Sequence, residues 1–260
     1  MTIETVEREM LAYVHDAGGQ RYVRNHAPRF FETLKLIPAD KPLQVLDLGA
    51  FLPFTALLCH WTPHAYTSHG IWEGDRVKQE AIDGATITLH NFDVERDTFP
   101  FPDARFDLVL CTEILEHLGR DPLFMLAESN RVLRMGGHLL LSTPNITSLR
   151  SLLKLALGYS PYLYANFTLA PDRHNREYAP REIHDLLAYA GFTAERFYTA
   201  DVYVHEPPRA ALYRSLSALL AVAGRLKPNR GDCIFAFARK AGPVRERFPS
   251  QFYDLARHAT

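Results

Sequence analysis

Phe106-Asp107-Leu108-Val109-Leu110-Cys111 is a short apolar run, broken only by Asp107 and bounded by polar residues. Such a run predicts a strand covered on both faces, as in the interior of a parallel sheet. The same texture recurs outward from it. Upstream, Leu43-Gln44-Val45-Leu46-Asp47-Leu48 reads as a strand ended by Gly49, with further strands at 65–71 and 85–90. Helices are predicted near 53–61 and 74–82 between them. Downstream, a helix around 120–134 carries Leu123, Leu126, Ala127, Asn130 and Leu133, mostly on one stripe. Gly136-Gly137 stops it, and His138-Leu139-Leu140-Leu141-Ser142-Thr143 is the next strand, ended by Pro144. A helix at 182–190, closed by Gly191, and strands near 193–200 and 232–239 complete the set. This alternation predicts a doubly wound, mostly parallel α/β sheet with right-handed crossovers.

Residues 3–16 place Ile3, Val6, Met10 and Val14 at helical spacing, with Gly18 and Gly19 as the stop, and a second helix is predicted over 22–36. The organisation expected is therefore a helical cap at 1–40, an α/β domain at 41–240 and a tail at 241–260. Insertions at 145–178 and 202–231 interrupt the domain, with predicted helices at 147–157 and 208–226. The first insertion carries Leu149, Leu152, Leu153, Leu155, Leu157, Tyr159, Tyr162, Tyr164 and Phe167. An apolar lid, a homodimer contact and plain packing on the sheet all fit it. The second has five Arg or Lys residues against one acid, Glu206, over 205–230. An anionic substrate, a peripheral membrane surface, a partner, or a packed helix with solvated arginines would each use that pattern.

Composition narrows the class. The chain has 260 residues, 47% of them hydrophobic, enough for one sizeable core. Its 29 basic and 30 acidic side chains argue against a general nucleic-acid coat. No uncharged apolar run is long enough to cross a bilayer, and Glu4, Glu7 and Glu9 do not suit a secretory signal. Cys59, Cys111 and Cys233 are too few and too scattered for a disulfide framework, so a reducing, cytoplasmic setting is expected. The twelve histidines show no zinc-type spacing with cysteine, and no metal set is expected.

In this architecture ligands lie beyond the carboxyl ends of the strands. Asp47 and Gly49 stand there after the first strand, Glu73 after the second and Asn91-Phe92-Asp93 after the third. A carboxylate so placed accepts hydrogen bonds from a ligand amine or a ribose hydroxyl, or else caps a loop. Several of them at successive strand ends would converge on one crevice.

Val45 to Asn145 resembles the core of the class I S-adenosylmethionine-dependent methyltransferases. Val45-Leu46-Asp47-Leu48-Gly49 is similar to their first cofactor motif. Phe99-Pro100-Phe101-Pro102-Asp103, Phe106-Asp107-Leu108-Val109 and Glu113-Ile114-Leu115-Glu116-His117-Leu118 follow the family's order. So do Arg131-Val132-Leu133-Arg134-Met135-Gly136-Gly137 and Leu141-Ser142-Thr143-Pro144-Asn145. The resemblance implies a seven-stranded sheet with its last strand antiparallel, and S-adenosylmethionine as cofactor. It implies that Asp47, Gly49 and Ala50 lie near the amino-acid half of the cofactor. An acid after the second strand, Glu73, would hold the ribose, Asp93 with Val94 would contact adenine, and Cys111, Thr112 and Glu113 would line the pocket. Two departures stand out. Phe51 follows Ala50 where the family usually has another glycine, and Trp72 takes the ribose acid's position, with Glu73 one residue later.

Methyl transfer from a sulfonium asks the protein for orientation, desolvation and, for an oxygen nucleophile, proton removal. His174 is the first base candidate, beside Asn175, Arg176 and Tyr178; the alternative is a network anchoring the first insertion. Arg176 would fix an anionic substrate or pair with an acid. His117 is the second candidate, one helical turn from Glu113, with a capping role as the alternative. His205 is a third. The expected function is methyl transfer to an oxygen or nitrogen of a small molecule. A non-catalytic protein on the same fold is the alternative, and a nicotinamide-dependent oxidoreductase lacks its Gly-x-Gly-x-x-Gly pattern here.

Overall fold

The computed structural model describes residues 1–82, 85–161, 173–203 and 229–253. Its strands are β1 (Gln44–Leu48), β2 (Ala65–Gly70), β3 (Val77–Ile82), β4 (Ala85–Asn91), β5 (Phe106–Thr112), β6 (Leu133–Pro144), β7 (Phe192–Ala200) and β8 (Cys233–Lys240). They form one sheet in the order β3-β4-β2-β1-β5-β6-β8-β7. The neighbours from β4 through β6 are parallel, and β8 runs antiparallel to both β6 and β7. Seven of these strands give the expected sheet with its last strand antiparallel.

The eighth, β3, is a correction. A helix was expected over 74–82, yet Val77–Ile82 pairs antiparallel with β4 along the sheet rim. Ile82 stands opposite Ala85, so only Asp83-Gly84 separates the two strands, a pair that favours tight hairpins. Lys78, Gln79, Glu80 and Ala81 carry no strong strand preference of their own; pairing with the β4 edge decides their conformation. Gly18-Gly19 is a second correction. It opens a helix instead of ending one, because Asp16 caps the first turn by accepting a hydrogen bond from the Gly19 N–H at 2.8 Å.

The helices are α1 (Ile3–Leu11), α2 (Ala17–Leu34), α3 (Leu52–Trp61), α4 (Pro122–Val132), α5 (Leu149–Ala156), α6 (Pro180–Tyr189) and the short α7 (Ser250–Tyr253). Strand alternation sorts them into two layers. Leu46, Leu48, Val109, Cys111, Leu139 and Leu141 point to one face, where α4 and α6 bury Leu123, Leu126, Ile183 and Leu187. Val45, Leu108, Leu110 and Leu140 point to the other, against Val6 and Met10 of α1, Val23 and Phe30 of α2, and Leu57 and Leu58 of α3. The N-terminal helices are thus part of the core of that face. Order reverses beside β1, between β2 and β5, and the carboxyl ends of strands at such a reversal are where open α/β sheets bind ligands. The helix expected at 208–226, with Tyr162, Tyr164, Phe167, His205 and Glu206, lies outside the described residues.

Candidate active site

The first strand ends on Gly49 at φ +61°, where a Cβ would stand 3.1 Å from the Ile114 side chain, so both backbone and space call for glycine. The turn it makes is tied to its neighbours by one imidazole. Gly49 N–H donates to Nδ1 of His69 at 3.0 Å, and Ala50 N–H donates to the His69 carbonyl at 2.9 Å. Nε2 of His69 then donates to the carbonyl of Phe92 at 2.9 Å. Accepting at one nitrogen and donating at the other requires the neutral ring, and burial lowers its pKa accordingly. Below this turn Asp47 is buried and accepts from Thr55 Oγ1 at 2.8 Å. Burial, only partly offset by that bond, pushes its carboxyl up to about 7.

Phe51 turns toward the N-terminal helices. Its ring stacks on Phe30, with centroids 5.7 Å apart, and meets Tyr22 at 4.9 Å. Trp72 packs over Gly70 and under the ammonium of Lys78, 4.7 Å from the ring centroid. Its carbonyl accepts from Asn91 Nδ2 at 2.7 Å. Glu73 is exposed in the following turn, next to Ile71, whose side chain is 75% exposed. Asp93 accepts from the Glu95 N–H at 2.8 Å and pairs with Arg96 at 3.3 Å, so part of its carboxylate shapes its own loop. Val94 is buried in the core, as is Cys111, whose thiol lies 3.9 Å from the Met125 sulfur. The side chains of both residues are thus turned into the core. Thr112 is half-buried at the end of β5.

The β5 end carries the charged groups. Glu113 has φ +56°, a left-handed conformation that prevents a helix from running through it. Only a 3-10 turn, Leu115–His117, forms after it, so the expected one-turn helical relation of Glu113 and His117 is corrected. The buried Glu113 carboxylate meets Arg29 of α2 at 3.0 Å, accepts from Ser142 Oγ at 2.8 Å and takes a short hydrogen bond from Tyr203. Burial alone would raise its pKa; Arg29 and these donors outweigh it and hold it below the ordinary carboxylate range. Arg29 also donates to the Tyr22 hydroxyl at 2.8 Å.

Glu116, three residues on, is wholly buried in a different setting. Thr143 Oγ1 donates to one of its oxygens at 2.9 Å, while the other, Oε1, has no hydrogen-bond partner among the described residues. Burial and the negative charge of Glu113 push its carboxyl well above the ordinary range. The Glu116 carbonyl accepts from the N–H groups of Asn175 and Arg176 at 2.6 and 3.2 Å, which clamps the 173–176 segment onto this turn. His117 and His174 are thereby brought edge to face, ring centroids 5.0 Å apart. Nδ1 of His117 lies 3.2 Å from the Arg173 carbonyl, and Nδ1 of His174 lies 3.2 Å from Glu177 Oε1. Arg176 turns from this pair to Glu182 and lies over the Tyr178 ring, at the start of α6.

Sequence reasoning anticipated Asp47, Gly49, Glu113, His117 and His174 as candidates but not Arg29, His69, Tyr22, Tyr203 or Ser142, which bind the crevice together. Arg29 flanks the apolar stripe Val23, Ala27, Phe30 and Leu34, where an arginine ordinarily reaches solvent. Nor did spacing foretell the cluster of Glu116, His117 and His174, whose ligating atoms all lie within 4.8 Å of one another. Among the described residues, no helix is long and apolar enough to cross a membrane.

Residues 57–141 match the family model of a methyltransferase domain. A probable S-adenosylmethionine-dependent methyltransferase of Mycolicibacterium smegmatis is 36% identical over 96 residues, covering 37% of this chain and 32% of that protein. This chain therefore spans about a third of that relative's length. Among solved structures, a chain of the complex between the Haloferax volcanii Trm112 methyltransferase activator and a methyltransferase superposes with a TM-score of 0.61 at 13% identity, over 91% of this chain and 98% of that one. A SAM-dependent methyltransferase from Archaeoglobus fulgidus gives 0.52 at 16% identity, over 92% and 95%.

Proposed function

We propose that the chain carries a class I methyltransferase domain and transfers a methyl group from S-adenosylmethionine to an oxygen or nitrogen of a small molecule. The observation that carries this reading is the glycine turn after β1, set at the point where strand order reverses and facing the charged β5 end.

The residues present fit the cofactor. Ile71 offers an exposed apolar side chain two residues before the exposed Glu73, and small-molecule sites combine such apolar surface with a few polar groups. Glu73 would hold the ribose and Asp93, with Val94 below it, would border the adenine. The backbone of Gly49, Ala50, Cys111 and Thr112 would border the amino-acid half. When bound, S-adenosylmethionine supplies an activated methyl group on a sulfonium. The chain's own contribution is orientation and proton handling. Arg29 and Glu113 fix the β5 end as a rigid wall. Each histidine uses Nδ1 in a hydrogen bond, so Nε2 is the basic nitrogen that would receive an acceptor proton. Arg176, held by Glu182, is assigned a positioning role for the His174 segment.

Residues 1–40 are read as a cap over the crevice and 241–260 as a tail. Free Cys59, Cys111 and Cys233 support a reducing, cytoplasmic setting. A homodimer contact would use α5 and the residue after it, where Leu152, Leu155 and Leu157 are exposed, whereas most of the 205–230 stretch considered for a membrane contact lies outside the described residues. The second reading is a binding protein without methyl transfer, favoured by Trp72 at the usual acid position and by the use of the Gly49 and Ala50 amides by His69. Isothermal titration of the full chain with S-adenosylmethionine and its demethylated product decides the cofactor. Stoichiometric binding is expected; no binding of either refutes the reading. Label transfer from methyl-labelled cofactor to a panel of hydroxylated and amine acceptors separates enzyme from binder.

A further inference from the structure

We propose that Glu116, His117 and His174 hold a divalent first-row transition-metal ion whose remaining positions take oxygen atoms of the methyl acceptor. The role toward the acceptor rests on the methyl-transfer reading; the binding of the ion does not.

Four observations converge. The three side chains place their ligating atoms within 4.8 Å of one another, with His117 Nε2 at 3.9 Å from Glu116 Oε1. An ion at ordinary metal–ligand distances would draw such donors to about 3.0–3.5 Å apart. That movement is small, and His117 and His174 retain 30% and 19% exposure with which to make it. Second, Glu116 Oε1 is buried, aimed toward His117 and lacks a hydrogen-bond donor among the described residues. A buried carboxylate oxygen without a partner is costly, and a bound cation removes that cost.

Third, the imidazoles are already oriented as ligands. A carbonyl faces Nδ1 of His117 and a carboxylate faces Nδ1 of His174, which puts the proton on Nδ1 and the lone pair on Nε2. Carboxylate or carbonyl partners behind a ligating histidine are the usual support of a metal site. Fourth, the segments that supply the two histidines are pinned together through the Glu116 carbonyl, while Thr143 fixes the other Glu116 oxygen. Two imidazoles and one carboxylate suit Zn, Mn, Co or Fe, and three protein ligands leave positions open. Such an ion would bind an acceptor hydroxyl and make it more acidic, so that with the ion bound the two Nε2 atoms serve as ligands and no longer receive the acceptor proton directly. Among the two acceptor types, this favours oxygen.

The test uses the full chain stripped with a chelator and titrated with Mn²⁺, Co²⁺ and Zn²⁺, following heat and the visible spectrum of bound Co²⁺. One ion per chain is expected. Single variants His117→Asn and His174→Asn should each weaken binding more than tenfold, and Glu177→Gln about tenfold or more. His184→Ala, on an exposed part of α6, should leave binding unchanged. Circular dichroism melts accompany each variant, and His174→Asn carries the test if His117→Asn fails to fold. The absence of stoichiometric binding by all three ions, or binding that survives His174→Asn at full strength, overturns the site. Titration of the same samples with S-adenosylmethionine keeps the two claims apart. Metal binding without cofactor binding leaves the site standing and removes its catalytic role; cofactor binding without metal binding removes the site alone.

Discussion

The two halves of the crevice edge handle buried polar groups in opposite ways. On the β1–β2–β4 side, one neutral histidine satisfies the turn: His69 accepts from Gly49, donates to Phe92, and its own carbonyl takes the Ala50 amide, and what stays buried there without a hydrogen-bond partner among the described residues is an uncharged group, the Ser68 hydroxyl of β2. On the β5–β6 side, Glu113 is satisfied by Arg29, Ser142 and Tyr203, but Glu116 keeps an oxygen without a hydrogen-bond donor among the described residues. A completed network serves architecture, whereas an incomplete one, held rigid by its surroundings, is where ligand chemistry is expected. Glu113 and Glu116 sharpen the point. They lie three positions apart, Glu116 wholly buried and the Glu113 side chain nearly so, yet one carboxyl is pulled below and the other pushed above the ordinary range.

The comparison breaks most severely at Arg29. Arg29→Ala would leave the Glu113 carboxylate buried without its cation, and a loss of about 3–5 kcal/mol in urea unfolding is expected. Arg29→Ala with Glu113→Gln should recover part of it; no recovery would mean that packing, not charge, is what Arg29 supplies. Next comes His69→Ala, which strands a buried N–H and a buried carbonyl, and should cost about 2–4 kcal/mol. A loss below about 1 kcal/mol would show that water completes that half as well as histidine does.

Asp47 gives a smaller effect in any one buffer, because it shows as a slope. The folded chain keeps the Asp47 proton up to about pH 7, while the unfolded chain releases it near the ordinary aspartate value of 3.8. Between these values the folded state binds the extra proton, so the stability from this group is full below about pH 4 and is lost as pH rises toward 7. Asp47→Asn should remove that part of the pH dependence of urea midpoints; an unchanged profile would refute the raised pKa. His26 opposes it. Burial lowers its pKa to about 4, so its contribution is lost as pH falls from 6.5 toward 4, and His26→Phe should flatten the acid limb. Smallest of all, Glu73→Ala should move stability by less than about 0.5 kcal/mol, since the side chain is exposed. On the proposed function it should nevertheless weaken S-adenosylmethionine binding about tenfold, the worth of a charge-assisted hydrogen bond.

Much of the sheet was legible in the sequence because its strands are continuous apolar runs. Phe106–Cys111 was read as a strand and extends by one residue to Thr112. The helix expected at 182–190 forms at Pro180–Tyr189. Val77–Ile82 was misread because its conformation comes from a neighbouring edge, not from its own residues. The glycine turn and the two histidines were visible by motif and by chemistry. The Arg29–Glu113 pair was not, since it joins positions 84 residues apart through a contact that only packing α2 on the sheet creates. His69 gave no signal either: a histidine inside a short, polar strand has no periodicity that marks it as buried.

The hairpin at the rim has a consequence for self-association. Where a helix would have shielded the border, β3 leaves one flank of backbone amides and carbonyls with no neighbouring strand among the described residues. Lys78 and Glu80 line that border as a facing pair 3.1 Å apart, both well solvated. A foreign strand laid alongside would have to strip water from two charges before gaining its first ladder bond, so the domain keeps an open margin without inviting polymerisation.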